Sequence, residues 1–479
     1  MSGADRPTSD TRRFRVPAQQ RPFPDAPDRP HRADLKAENE SRSMGSKLRA
    51  NCPRAYRVRG SQIVWGQGVL KETPETGERR VQAIWRRSRR AAVGQLLAGA
   101  GLAALGLPIA GADVPLQPDD DKVPLADLGM ELSPAQRAAG VAFLARHPTV
   151  DVHAHPGLFW LSPPPYTASA RRSLGEPFVG RALADLHAGR VSAALFSCVA
   201  DTELLELSGT TLRASREFQP GEAYADYQRQ LVKLQTLRDR HEVARGLKPA
   251  DVRAAQRHGQ TAAVFAVEGG DFIEDRLDRV GEAFRDGVRS IQLVHYHINQ
   301  LGDIQSEAPV HNGLTPLGKA VVREMNSAGM LIDLAHATFA VTKDAVEVST
   351  RPVMISHTNL VSPTVSHPRL ISHEHAVLVA AAGGVIGSWP SGIGQRTFAD
   401  YIDSIRRLAD AVGIDHVAIG TDMHANYRPV FRNYRDWNLI PAALLARGLS
   451  EKDVAKIMGE NFLRIFDAAL AHTPGPRES

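Results

Sequence analysis

Cysteine is almost absent from the 479 residues: there are two, Cys52 and Cys198. Cys52 falls in an N-terminal segment with the character of a leader, so its removal would leave one thiol and no intrachain disulfide. Cys198 follows the apolar run Val191–Ser197 and reads as a packed core thiol, not a nucleophile. An excess of positive charge is also missing where it would matter. The formal charge is +5, but residues 1–112 hold 21 basic and 10 acidic residues, a balance of +11. The remaining 37 basic and 43 acidic residues give −6, which removes the electrostatic case for nucleic-acid binding. A strongly hydrophobic run is lacking too: Ala91–Ala112 is uncharged but mostly Ala, Gly and Leu, with Gln95 and Pro108 inside.

That weakly apolar run follows Arg86-Arg87-Ser88-Arg89-Arg90 and ends Ala110-Gly111-Ala112, an A-x-A cleavage pattern. Residues 86–112 therefore read as a twin-arginine-type signal peptide, with cleavage favoured over a transmembrane anchor. Residues 1–85, rich in Pro, Arg and Ser, read as a disordered leader or as a start placed too far upstream. The expectation is a periplasmic or secreted bacterial protein, carried by the twin-arginine export machinery and left without a membrane anchor. Residues 113–479 form its single catalytic domain.

From residue 150 short β-branched or apolar runs alternate with longer helical segments, the pattern of parallel β-α units. The candidate strands are Thr149–His153, Val191–Ser197, Ala262–Val267, Ser290–His295, Met330–His336, Pro352–His357, Gly384–Trp389 and His416–Asp422. Eight strands close a barrel, so the fold class is α/β, a (β/α)8 TIM barrel, and the polar residues at its strand ends point to the metal-dependent hydrolase type. Leu317–Ala328 and Tyr401–Val412 are amphipathic helices in the gaps, and the insertion at about 200–245 reads as helical.

Six of these strands run into imidazoles or carboxylates: His153 and His155, Glu268, His295, His336, His357 and Asp422. In such a barrel the C-terminal strand ends share one rim. One histidine after a strand is usually a core or capping residue, but six ends in register point to a metal site. His153 and His155 are two apart, so an extended strand aims both the same way. Imidazole and carboxylate without thiolate suit zinc or a similar divalent ion.

At these residues the chain resembles the membrane (renal-type) dipeptidase family. The resemblance rests on His153-Ala154-His155, Val267-Glu268-Gly269-Gly270, Leu331–His336, Ser356-His357, Gly420-Thr421-Asp422 and the closing segment Gly459–Phe466. It covers roughly residues 140–470. It implies two divalent metal ions per chain, with His153 and His155 on the first, Glu268 bridging, and His336 and His357 on the second. Asp422 would sit by the first ion and handle the proton of a bridging water. His295 would support the tetrahedral intermediate, and Arg369 would receive the substrate carboxylate. The catalytic residues implied are thus Asp422 and His295, and the substrate-binding residues His295 and Arg369. The sequence departs from the family pattern at four places. His155 stands for an aspartate, Asp271 for a histidine, and Asp422-Met423-His424-Ala425 for Asp-x-Asp-Gly, while Trp389 lies near a position where some members carry tyrosine.

The chemistry implied is hydrolysis of the amide bond of dipeptides or similar small amides by a metal-bridging hydroxide. Asp422 would move the proton, and His295 would steady the oxyanion. Arg369 would grip a carboxylate in a two-pronged contact. Two other readings stay open: a hydrolase of N-acyl amino acids, lactones or phosphoesters, and an inactive metal-binding barrel. Retention of both Glu268 and Asp422 disfavours the second. The expected partner is a small, dipeptide-like molecule, and a homodimer is an assembly left open. His297, His311, His367, His373 and His375 read as bystanders, His424 as close enough to reach the site, and Asp333 as an ordering partner of a ligand.

Overall fold

The computed structural model describes residues 127–161, 177–208 and 211–471. Cys52 and the segment 86–112 read as a signal peptide, with its Ala110-Gly111-Ala112 end, lie outside the described residues. Among the described residues no helix is long and apolar enough to cross a membrane.

Eleven strands follow in chain order: β1 Val150–Ala154, β2 Ala193–Val199, β3 Leu205–Ser208, β4 Thr211–Ala214, β5 Ala244–Arg245, β6 Ala262–Glu268, β7 Val288–Gln292, β8 Leu331–Asp333, β9 Met354–Thr358, β10 Val385–Ser388 and β11 Val417–Ile419. Eight of them close a parallel barrel in the order β2-β1-β11-β10-β9-β8-β7-β6, with β6 returning to β2. These are the eight strands expected from the sequence, with ends shifted by a few residues. Their residues are buried on both faces, as helices outside and side chains inside require. β5 adds a short pairing to the start of β6.

Local chemistry sets the helix limits. Thr315 caps the helix Pro316–Ala328 by accepting the Gly318 N–H, and Gly329 ends it in the left-handed region. Thr397 and Asp400 form a capping box at the start of Phe398–Val412. The closing helix Asn461–Leu470 packs at the N-terminal end of the barrel, where Asn461 Nδ2 donates to the carbonyls of Ile414 and Val417. Its Phe462 and Phe466 are fully buried beside Val150, Val152, Leu195 and Val264. Each ring contributes about 2–3 kcal/mol by leaving water. This end is sealed, and the opposite rim is left for chemistry.

The insertion after β2 differs from the helical expectation. It opens with a turn at Thr202–Leu204 and an antiparallel hairpin, β3 against β4, before the helix Glu222–Asp239. Strands of four residues are too short for the alternation to stand out in the sequence. The hairpin is what brings Leu205 and Leu212 to the rim.

Candidate metal centre

Glu268, the last residue of β6, is the hub. Its Oε1 lies 3.3 Å from His153 Nε2, 3.4 Å from His295 Nε2, 3.4 Å from His336 Nε2 and 3.7 Å from His357 Nε2. Its Oε2 lies 3.2 Å from His155 Nε2. Asp422 Oδ1 stands 3.4 Å from His155 Nε2 and 3.9 Å from His153 Nε2. All seven strand-end residues singled out in the sequence are buried and meet in one place. Their ligand atoms fall into three overlapping groups: His153, His155 and Asp422; His153, Glu268 and His357; Glu268, His295 and His336. His357 shares a set with His153, and His295 joins His336, while His336 and His357 Nε2 themselves lie 3.2 Å apart beside Glu268 Oε1.

Backbone strain marks two of these positions. His336 (φ 65°) and Asp422 (φ 56°) both occupy the left-handed region, a conformation kept only where surroundings enforce it. Asp151 supplies part of that enforcement. Its buried carboxylate accepts the Thr421 N–H at 2.9 Å, the Thr421 hydroxyl at 2.5 Å and the Tyr434 hydroxyl at 2.8 Å, tying β1 to the end of β11. Burial pushes the Asp151 carboxyl up to about 6 despite those donors. Asp333 Oδ1 does the same between β8 and β9, accepting the backbone N–H of Ala335 and Ser356 at 3.0 Å each. It orders the chain beside His336 and His357, not their rings.

The rings are oriented from behind. His155 Nδ1 donates to the Ser197 carbonyl at 2.9 Å, which turns Nε2 toward the carboxylates. His357 Nδ1 lies 3.0 Å from Ser356 Oγ, and His295 Nδ1 2.7 Å from Asp201 Oδ1. Burial, helped by neighbouring cations, holds His336 and His357 well below the usual histidine range, so both are neutral. Burial also pulls His155 down, but Asp422 and Glu268 outweigh it and hold the ring up at about 10. Burial pushes Glu268 up, and the His295 and His153 rings overcome it, so this carboxylate stays well below its usual range. Two neutral imidazoles, a buried carboxylate pair and His153 Nε2 3.3 Å from Glu268 are the donor set a divalent cation takes. These residues fit such an ion.

Beside this cluster lies a small cavity of about 40 Å³ walled by Trp160, Val199, Leu205, Leu212, Tyr296 and Trp389. Arg369 closes one side. It is buried, its Nη1 donates to Gln305 Oε1 at 2.8 Å, and its guanidinium lies 5.3 Å from the Trp389 ring centre. Among the described residues its Nε and Nη2 have no hydrogen-bond partner, nor do the indole N–H groups of Trp160 and Trp389. Unspent buried donors beside a metal centre suit an anionic or carbonyl-rich ligand.

The sequence profile of the membrane dipeptidase family (peptidase family M19) matches residues 140–474. The chain belongs to this family. Among similar proteins, dipeptidase verJ of Clonostachys rogersoniana is 31% identical over 244 residues, 49% of this chain and 63% of the relative. Dipeptidase tcpJ of Claviceps purpurea (strain 20.1) is 31% identical over 238 residues, 47% and 55% of the two chains. The chain thus spans somewhat over half the length of the curated relatives it matches. In fold it is similar to the probable dipeptidase PvdM of Pseudomonas aeruginosa: TM-score 0.58, 18% identity, 71% of this chain and 100% of that one. It is similar as well to a metallopeptidase of Rhodobacter sphaeroides liganded with a phosphinate mimic of the dipeptide L-Ala-D-Ala. That match has TM-score 0.54 and 20% identity over 67% of this chain and 99% of that one.

Other residues separate from the centre. His424 lines no part of the cavity; its Nδ1 accepts the Gly157 N–H at 2.9 Å, and burial lowers its pKa to about 3. His297 bonds Asp271 at 2.7 Å and Glu217 at 3.1 Å, while His375 bonds Thr342 at 2.7 Å. Cys198 is free and buried, and burial pushes its thiol far above the usual range, as a packed core thiol requires. Asp201, Tyr296, Gln305 and Trp160 escaped the sequence reading. Of these, only Asp201 and Tyr296 carried a sequence signal, Asp201 as a carboxylate just past β2 and Tyr296 as the neighbour of His295.

Proposed function

We propose that this protein is an exported hydrolase that binds two divalent ions, zinc by donor type, and cleaves the amide bond of dipeptides in the periplasm or outside the cell. The observation that carries this reading is the convergence of His153, His155, His295, His336, His357 and Asp422 on Glu268. When bound, the ions supply a water of lowered pKa and a polarised carbonyl. Glu268 lies between the two sides of the cluster and is the residue to bridge them. Asp422, beside His155, takes the proton of the attacking water and returns it to the leaving amine. His295 faces the carbonyl oxygen, and Arg369 meets the free carboxylate with its unspent Nε and Nη2 donors. Export rests on the leader sequence alone. The test is elemental analysis and turnover of the purified enzyme on a panel of L,L- and L,D-dipeptides. Two ions per chain with dipeptide turnover are expected, and one ion at most in fully active enzyme sinks the binuclear reading.

One observation favours a second reading, an N-acyl amino acid hydrolase. Among the described residues, the carboxylates lining the cavity are Glu268 and Asp422, both within the metal centre. Neither is free to receive a dipeptide ammonium. Glycyl-leucine and acetyl-leucine differ by that amine alone, and the ratio of their kcat/KM values decides between the two substrates.

A further inference from the structure

Of the two strand ends that brought no site residue from the sequence, that of β2 delivers Asp201 in the structure. Its side chain is fully buried, and its two oxygens have separate partners. Oδ1 lies 2.7 Å from His295 Nδ1, and Oδ2 accepts the backbone N–H of Tyr296 at 2.9 Å. A backbone N–H can only donate, so Oδ2 is committed as an acceptor. The other oxygen then meets the imidazole and takes the proton on Nδ1. This turns Nε2 into the site, 3.4 Å from Glu268 Oε1.

His295 lies three residues beyond β7, where the ladder of the sheet has ended, so its ring needs another anchor. The insertion supplies one on each side. Asp201 stands at its root, and the Ala214 N–H at the end of the hairpin donates to the Tyr296 carbonyl at 3.3 Å.

We infer that Asp201 is the positioning residue of His295, fixing the ring plane and holding a proton on Nδ1 so that Nε2 is the atom presented to substrate. The inference rests on the proposed hydrolytic reading for what Nε2 then does, but not for the geometry. The role resembles that of a carboxylate behind a general-base histidine, where the wrong tautomer, not lost binding, causes the damage. Asp201→Asn separates the two. The Tyr296 N–H claims the amide oxygen, the amide NH2 turns to His295 Nδ1, and the ring proton moves to Nε2.

The experiment compares Asp201→Asn, His295→Ala and the double variant in the full chain, with metal content and thermal midpoint measured for each. Asp201→Asn is expected to lower kcat by about 100-fold or more with KM changed by less than about threefold. In the His295→Ala background the same change should cost less than about threefold. Equal losses in both backgrounds, or kcat within threefold of wild type, overturn the inference. Should Asp201→Asn fail to fold, imidazole-¹⁵N spectra of the metal-free wild type decide, assigned by the signal missing from His295→Ala. A proton on His295 Nδ1 is expected, and an unprotonated Nδ1 overturns the inference. A wild type that hydrolyses none of the amides removes the proposed function, and the spectra then decide the role of Asp201 by themselves.

Discussion

The Nε2 atoms of His336 and His357 face each other at 3.2 Å, with Glu268 Oε1 3.4 and 3.7 Å away. Both rings are neutral because burial disfavours their charge. Two neutral ring nitrogens turned on one point are held by a shared proton or, more strongly, by a cation.

Chelation is therefore expected to abolish turnover and to loosen the rim. Ions held at a thousand times their dissociation constant stabilise by about 4 kcal/mol each. Their removal should lower the thermal midpoint by roughly 5–15 °C. Added zinc should restore both, and His336→Ala should retain about half the metal of wild type by elemental analysis. A midpoint indifferent to chelator would count against ions bound by these residues.

Gln305 orients Arg369 through the 2.8 Å bond to Nη1. Gln305→Leu should free the guanidinium to rotate and leave a buried donor unpaired. Losing a hydrogen bond to a charged group is worth about 1.5–3 kcal/mol. The expected result is kcat/KM down by about 10- to 100-fold for substrates ending in a free carboxylate, mostly in KM. Substrates with the carboxylate amidated should be affected far less.

Gly387 in β10 passes so close to β9 that a Cβ there would lie 1.8 Å from the Ser356 carbonyl oxygen. No side chain can yield, because the obstacle is backbone next to His357. Gly387→Ala should cost about 3 kcal/mol or more in urea unfolding and reduce metal retention, since the strand holding His357 must shift. Unchanged unfolding would show that the barrel is less tightly closed at this point than its geometry indicates.

His375 gives a pH prediction away from the metal centre. Burial lowers its pKa to about 4, against 6.5 for the free side chain. Between those values the unfolded chain binds a proton that the folded chain does not, so folding weakens as pH falls from about 6.5 to about 4. The slope from this residue is at most about 1.4 kcal/mol per pH unit. His375→Gln should flatten that part of the stability curve relative to wild type. An identical slope in both proteins would show that His375 does not titrate as its burial demands.

Much of this was legible in the sequence because a parallel barrel writes itself into it. Strands buried on both faces become apolar runs, and the residues at their C-terminal ends become the polar exceptions. His153, His155, Glu268, His295, His336, His357 and Asp422 were found in that way. The hairpin Leu205–Ala214 was not, because its strands of four residues are too short to show a period. Gln305 was not either, since a glutamine in a loop carries no signal until Arg369, 64 positions away, is placed beside it.

By itself, then, the sequence determined the number of barrel strands, the rim on which the chemistry gathers and the kinds of atom offered there. Those are local properties, set by periodicity and by what ends each run. Only the tertiary structure decided which donor meets which: His357 with His153, His336 and Glu268, His295 with His336, and Asp201 behind His295. Those partnerships depend on how β2, β6 and β7 lie side by side and on the left-handed backbone at His336 and Asp422. A few ångströms of strand register, which no spacing along the chain records, settle each of them.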